Sequence, residues 1–158
     1  MILGFTGTRK GMTPEQKKTV GIFLRSNTVT KHFNGACEGA DRDMYFLVLS
    51  NSNANIVFYP GDKEQYVWAL IQQSEVDDVA VVPRRPYMVR NELIVTQSDC
   101  LVATPYEDHE VKRSGTWATV RIARRQGKPV TIVWPNGTAT GDINGRHQNI
   151  NRTDHDRR

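Results

Sequence analysis

The sequence predicts an α/β domain with a mainly parallel sheet of about five strands, and three observations carry that reading. Five short apolar runs alternate along the chain with stretches of helical periodicity. Several runs are closed by Gly, Pro or Asn and feed a segment that opens with a helix-start signal. At 158 residues, the chain can bury one real core without disulfides or metals to hold it.

The first run, Ile2-Leu3-Gly4-Phe5, opens into the loop Thr6-Gly7-Thr8-Arg9-Lys10-Gly11. A helix is expected from Thr13, because Thr at N-cap, Pro14 at N1 and Gln16 at N3 form a capping-box pattern. Val20, Phe23 and Leu24 share one face of it and are expected to pack on the sheet. The second run, Thr30 to Phe33, ends in Asn34-Gly35-Ala36-Cys37-Glu38-Gly39-Ala40-Asp41. Asp41 is expected as N-cap of a helix holding Met44, Leu47 and Val48. The third run, Ile56-Val57-Phe58-Tyr59, is stopped by Pro60-Gly61.

Residues 66–73 read as helical and residues 79–82 as a short extra strand, before Pro83 and Pro86 break regular structure. A helix over residues 87–97 leads into the fourth run, Cys100-Leu101-Val102-Ala103. After the acidic loop Glu107-Asp108-His109-Glu110, Ser114-Gly115-Thr116 starts another helix, which Gly127 ends. The fifth run is Val130-Thr131-Ile132-Val133-Trp134, closed by Pro135. Residues 136–158 show no periodicity and read as a polar, flexible tail, which leaves residues 1–135 as the folded domain.

A content of 38% hydrophobic and 24% charged residues argues against a wholly disordered chain or a collagen-like repeat. The longest apolar stretches run to roughly seven residues, far short of the ~20 that cross a bilayer, so no membrane partner is expected. The start, Met1 to Phe5, lacks a basic lead and a long apolar core and makes a poor signal peptide. Cys37 and Cys100 lie far apart without metal spacing, which reads as two reduced thiols in a cytoplasmic protein. His32, His109, His147 and His155 are scattered, so neither a metal nor any other cofactor is expected. The net charge of +4 raises the question of an anionic ligand or a nucleic acid.

In an open α/β sheet, ligands bind where the carboxyl ends of strands lead into helix starts. Three loops rich in Gly and hydroxyl residues fall at that edge: Thr6 to Arg9, Gly35 to Asp41, and Arg113 to Thr116. Small residues let a ligand approach the backbone, and free amides at helix starts attract phosphate. The dinucleotide fingerprint G-x-G-x-x-G is absent, because Gly4, Gly7 and Gly11 are spaced too widely. Asn34 opens a second glycine loop where that fold would carry its ribose-binding acid. A P-loop, G-x-x-x-x-G-K-[ST], is absent too.

Five segments together resemble the SLOG superfamily. They are Gly4 to Thr8, Asn34 to Asp41, Tyr87-Met88-Val89-Arg90-Asn91, Ser98 to Ala103, and Ser114 to Thr119. The resemblance runs from residue 1 to about residue 135 and is similar in kind to small bacterial and phage members. It implies a single Rossmann-like three-layer domain that binds nucleotides or nucleotide-derived ligands, and a homo-oligomer. The superfamily includes Lonely Guy phosphoribohydrolases, whose glycine-rich motif ends G-T-x-x-E. Gly115-Thr116-Trp117-Ala118 follows that motif, but Thr119 stands at the glutamate position. The catalytic arginine of those enzymes matches Arg90. The Rossmann-like domain of DNA-processing protein A offers a second likeness, through the Gly35–Asp41 loop and Arg90-Asn91.

The leading expectation is binding of a nucleotide-like, phosphate-bearing small molecule. Its phosphate would rest on the amides of Gly7–Thr8 and Gly115–Thr116, with Arg90 as counter-charge. Arg9, Gly35, Gly39, Asn91, Ser114 and Thr119 complete the candidate ligand set. An alternative is hydrolysis of the N-glycosidic bond of a nucleoside 5′-monophosphate, with Asp41 or Glu38 as carboxylate and Arg90 in the catalytic set. A second alternative, binding of single-stranded DNA, fits the basic charge, although the cations form no single stripe. Tyr87 and Trp117 read as packing aromatics ahead of base-stacking ones, and Cys37 as a small filler.

Overall fold

The computed structural model describes residues 1–63, 79–143 and 146–149. The predicted helix over residues 66–73 lies outside them. β1 (Ile2–Gly7) is the centre of the sheet, and its Leu3 and Phe5 are buried because both of its edges and both of its faces are covered. It pairs in parallel with β2 (Lys31–Asn34) on one side and β5 (Cys100–Thr104) on the other. β3 (Asn55–Phe58) and β4 (Val79–Val81) extend the first side, and β6 (Val130–Val133) the second, all in parallel. β4 is the strand expected over residues 79–82; its largely exposed residues suit the edge that it forms.

Two further strands change the picture of the C-terminal segment. β7 (Ala139–Ile143) pairs antiparallel with β6, and β8 (Arg146–Asn149) pairs antiparallel with β7. The order is therefore β4-β3-β2-β1-β5-β6-β7-β8, eight strands among the described residues where about five were expected. Within the segment expected as a tail, residues 139–143 and 146–149 join the sheet. Thr138 and Trp134 close a hairpin turn, and the Trp134 indole donates to the Thr140 hydroxyl at 2.9 Å.

Four helices are described. α1 (Pro14–Ser26) starts as its sequence dictates: the Thr13 hydroxyl accepts from the Gln16 amide, and the Gln16 side chain accepts from the Thr13 amide. Gln16 is buried, and its Nε2 donates to the carbonyls of Pro105 and Val133, each at 2.9 Å, which fastens the helix start to the ends of β5 and β6. α2 (Ala40–Asn51) packs beside it over a core of Leu3, Phe5, Val20, Met44 and Phe58. α3 (Tyr87–Gln97) and α4 (Gly115–Arg125) pack with two further clusters, Leu101–Trp117–Val120–Ile132 and Phe33–Tyr59–Ile94. Trp117 sits inside this packing, nearly fully buried.

α2 corrects one expectation. Its N-cap is Gly39, at φ +87°, and no side chain caps it. Asp41 lies two residues later and turns its carboxylate back onto the preceding loop. A Cβ on Gly39 would stand 2.2 Å from the Arg9 carbonyl oxygen, in a backbone conformation that disfavours side chains. Gly39→Ala is accordingly expected to destabilise the fold by roughly 2–3 kcal/mol. Urea denaturation checks this; a loss below ~0.5 kcal/mol would contradict the close packing of these two loops.

Candidate functional site

Strand order reverses between β1 and β5, and the crevice outside their carboxyl ends is where such sheets take ligands. A cleft of about 580 Å³ opens there, within the usual range for small-molecule sites. The three loops expected from sequence converge on it, joined by one face of α3.

The β1–α1 loop supplies Gly7, Thr8, Arg9 and Lys10. The Thr8 amide is not available to a phosphate, because it donates to the Thr104 carbonyl at 3.2 Å and continues the β1–β5 ladder. The Thr8 carbonyl accepts from Gly11 and Ala40, so this turn is held rigidly against α2. What the loop offers a ligand is side chains: the Thr8 hydroxyl, Arg9 and Lys10. Lys10 also stands over the Tyr106 ring at 3.8 Å, which brings Tyr106 and Glu107 of the β5–α4 loop to the rim.

The β2–α2 loop supplies Gly35, Cys37 and Asp41. Asp41 Oδ2 accepts the Cys37 amide at 3.0 Å, and the Asn34 side chain accepts the Ala36 amide at 2.9 Å. These two bonds fold residues 34–41 into a tight turn with Ala36 at φ +58°. Burial pushes the Asp41 carboxyl above the usual carboxylate range, and the Arg90 guanidinium pulls it back. Burial, with Asp41 adding to it, likewise raises the Cys37 thiol, so it is no thiolate nucleophile.

Arg90, on α3, is 5% exposed. Its Nη1 donates to the carbonyls of Gly35 at 2.5 Å and Tyr59 at 2.8 Å, and its Nε donates to Asn91 Oδ1 at 2.7 Å. The guanidinium also lies 4.9 Å from the Tyr87 ring centre. Gly35 makes room for it, since a Cβ there would fall 2.1 Å from Arg90 Nη1. Arg90, expected from sequence as the phosphate's counter-charge, thus borders the cleft, but most of its donors are spent on protein carbonyls and on Asn91.

At the start of α4, the Ser114 hydroxyl accepts the Trp117 amide at 3.3 Å and the Ser114 carbonyl accepts that of Ala118. The first amides of the helix, those of Gly115 and Thr116, have no intrahelical acceptor. They stand at the cleft beside Arg113, and a Cβ on Gly115 would meet nothing within 4 Å. Among the described residues nothing accepts from these amides, so donors at the positive end of a helix face open space.

Of the residues expected from sequence, Gly7, Thr8, Arg9, Gly35, Asp41, Arg90, Asn91, Ser114, Gly115 and Thr116 all border the cleft. Three are not among its lining. Glu38 pairs with Arg42 at 3.3 Å; Gly39 is the turn beneath Arg9; and Thr119 is buried, its hydroxyl bonded to the Gly115 carbonyl at 2.9 Å. Sequence reading passed over Lys10, Met88, Ile94, Tyr106, Glu107 and Arg113 as site residues. Lys10 and Arg113 adjoin loops already marked, which was the available signal; Tyr106 carried none.

No protein-family model matches the chain, and no curated protein matches it. Among solved structures, the crystal structure of TM1055, a structural-genomics target, is similar over 82% of this chain and 71% of its own, with a TM-score of 0.57 and 19% identity. That likeness is one of fold: a Rossmann-like α/β domain built on a mostly parallel sheet.

Proposed function

We propose that the cleft binds a nucleotide or a nucleotide-derived, phosphate-bearing small molecule. The observation that carries this reading is the pairing of two free amides at the start of α4 with Lys10 and Arg113 around open space. The motif resemblance to the SLOG superfamily supports the same ligand class. Phosphate rests on Gly115 and Thr116 rather than on the Thr8 amide, which the sheet consumes. Binding is favoured over N-glycosidic hydrolysis, since Asp41 is held by the loop it organises and Glu38 faces Arg42. It is also favoured over single-stranded DNA, since these cations border a confined cleft and not a track.

A thermal-shift panel of nucleoside 5′-monophosphates tests the reading. A ligand at ~100-fold its Kd should raise the Tm by roughly 5 °C or more. The Lys10→Ala/Arg113→Ala variant, whose exposed side chains are dispensable to the core, should lose about tenfold in affinity. The absence of stabilisation by any phosphate-bearing compound sinks the proposal.

A further inference from the structure

The cleft has two chemically different walls. One is the cationic, amide-rich side formed by Lys10 and by Arg113 to Thr116. The other is a face of α3 on which Tyr87, Met88, Asn91 and Ile94 line the cleft, at helical spacing i, i+1, i+4 and i+7. Met88 and Ile94 give that face its apolar surface; its polar groups are the Asn91 amide, the Tyr87 phenol and the neighbouring Arg90 guanidinium.

The orientation of this amide is fixed by elementary donor logic. Arg90 Nε carries only a hydrogen to give, so the Asn91 atom 2.7 Å away is its oxygen. With the oxygen taken, the Asn91 amino group is left with two hydrogens, and among the described residues nothing accepts from it. Arg90 is itself immobilised by the Gly35 and Tyr59 carbonyls and by burial. An asparagine free to rotate could present either end of its amide; one held by a locked arginine has its amino group fixed as a donor, with one oxygen lone pair already used.

Resting on the phosphate site proposed above, we infer that Asn91 is the group that reads the ligand's base, as a donor to a ring nitrogen or carbonyl of a nucleobase lying on the Met88–Ile94 face. Arg90 is then a positioning residue for Asn91 and not the counter-charge of the phosphate. The class selected is a nucleoside monophosphate, with an anionic pole at α4 and a flat acceptor-bearing ring at α3. Sugar phosphates fill only the first pole.

Isothermal titration of the intact chain with AMP, GMP, CMP, UMP, ribose 5-phosphate and inorganic phosphate tests this. Asn91→Ala should weaken the preferred nucleotide about tenfold while changing ribose 5-phosphate and inorganic phosphate less than about twofold. Arg90→Lys keeps the charge but loses Nε, and should lower the same nucleotide-to-phosphate ratio. If Arg90→Lys fails to fold, the Asn91→Ala ratio decides alone. Equal losses for all ligands mark a merely structural role and overturn the assignment, as does an unchanged nucleotide affinity. Parallel losses for nucleotide and ribose 5-phosphate, with inorganic phosphate spared, place Asn91 on the sugar and overturn the base assignment. A wild-type chain that binds none of the six overturns the phosphate site itself, and the Asn91 assignment with it.

Discussion

Arg90→Met is expected to destabilise the fold by about 3–5 kcal/mol, the usual cost of stripping one partner from a buried charge network. Methionine keeps the apolar stem, so the loss comes from the guanidinium. Without it the Gly35 and Tyr59 carbonyls lose their donor, and Asp41 loses the positive charge that opposes its desolvation. The double variant Arg90→Met/Asp41→Asn should recover roughly 1–2 kcal/mol of that loss. Asparagine can still accept from the Cys37 amide but carries no charge to strand. Urea denaturation of the four proteins in this cycle checks the coupling. Strictly additive effects would show that Asp41 and Arg90 act independently, against the geometry described.

His32 gives the second large effect, and it appears as a pH dependence. The ring is fully buried in β2, and burial pushes its pKa down to about 3, with the Leu3 main chain partly opposing the shift. Asn34 Nδ2 sits 3.1 Å from His32 Nε2, so that nitrogen is the acceptor and the ring is neutral. Above pH ~6.5 neither the folded nor the unfolded chain protonates this histidine, and it contributes no slope. Between pH ~6.5 and about 3 the unfolded state takes a proton that the folded state refuses, so stability falls as pH falls. At pH 5 the loss amounts to about 2 kcal/mol, from 1.36 kcal/mol per pH unit over about 1.5 units. Asp41 titrates with the opposite sign, because its raised pKa favours the folded state as it takes up a proton. The comparison with His32→Leu cancels that contribution. The wild-type protein should lose about 2 kcal/mol more than the variant between pH 7 and pH 5, and parallel profiles would show that His32 is solvated or protonated in the fold.

The elements were legible where local chemistry decides them. The Thr13 capping box and the Ser114 cap are written within three or four consecutive residues, and the structure uses both. β1, β5 and β6 read clearly because they are largely buried and appear as short, mostly apolar runs. β7 was missed for the converse reason: Ala139-Thr-Gly-Asp-Ile143 has a polar middle and no apolar run, and its pairing with β6 depends on a hairpin turn. Asp41 reads as a cap only while its side chain is assumed to face its own helix, and here it bonds the loop before it.

The candidate site divides along the same line. The three small-residue loops were visible because glycine and hydroxyl residues mark turns and helix starts wherever they occur. The role of Arg90 was not visible, since its carbonyl partners are 55 and 31 residues away in sequence. Nor was the loss of the Thr8 amide to Thr104, a bond between strands brought together only by the parallel crossover. Sequence placed the arginine at the cleft; its bonds to Gly35, Tyr59 and Asn91 emerge only in the fold.

The most direct measurement is an NMR titration of the amide resonances of the whole chain with a nucleoside 5′-monophosphate. Saturable shifts should concentrate on Arg113, Gly115 and Thr116 at the start of α4 and on the Asn91 side-chain amide, with Thr8 moving little because its N–H stays on Thr104. A titration that leaves Gly115 and Thr116 unmoved, or that shifts residues away from the β1–β5 crevice, contradicts the central claim that this cleft is a nucleotide site.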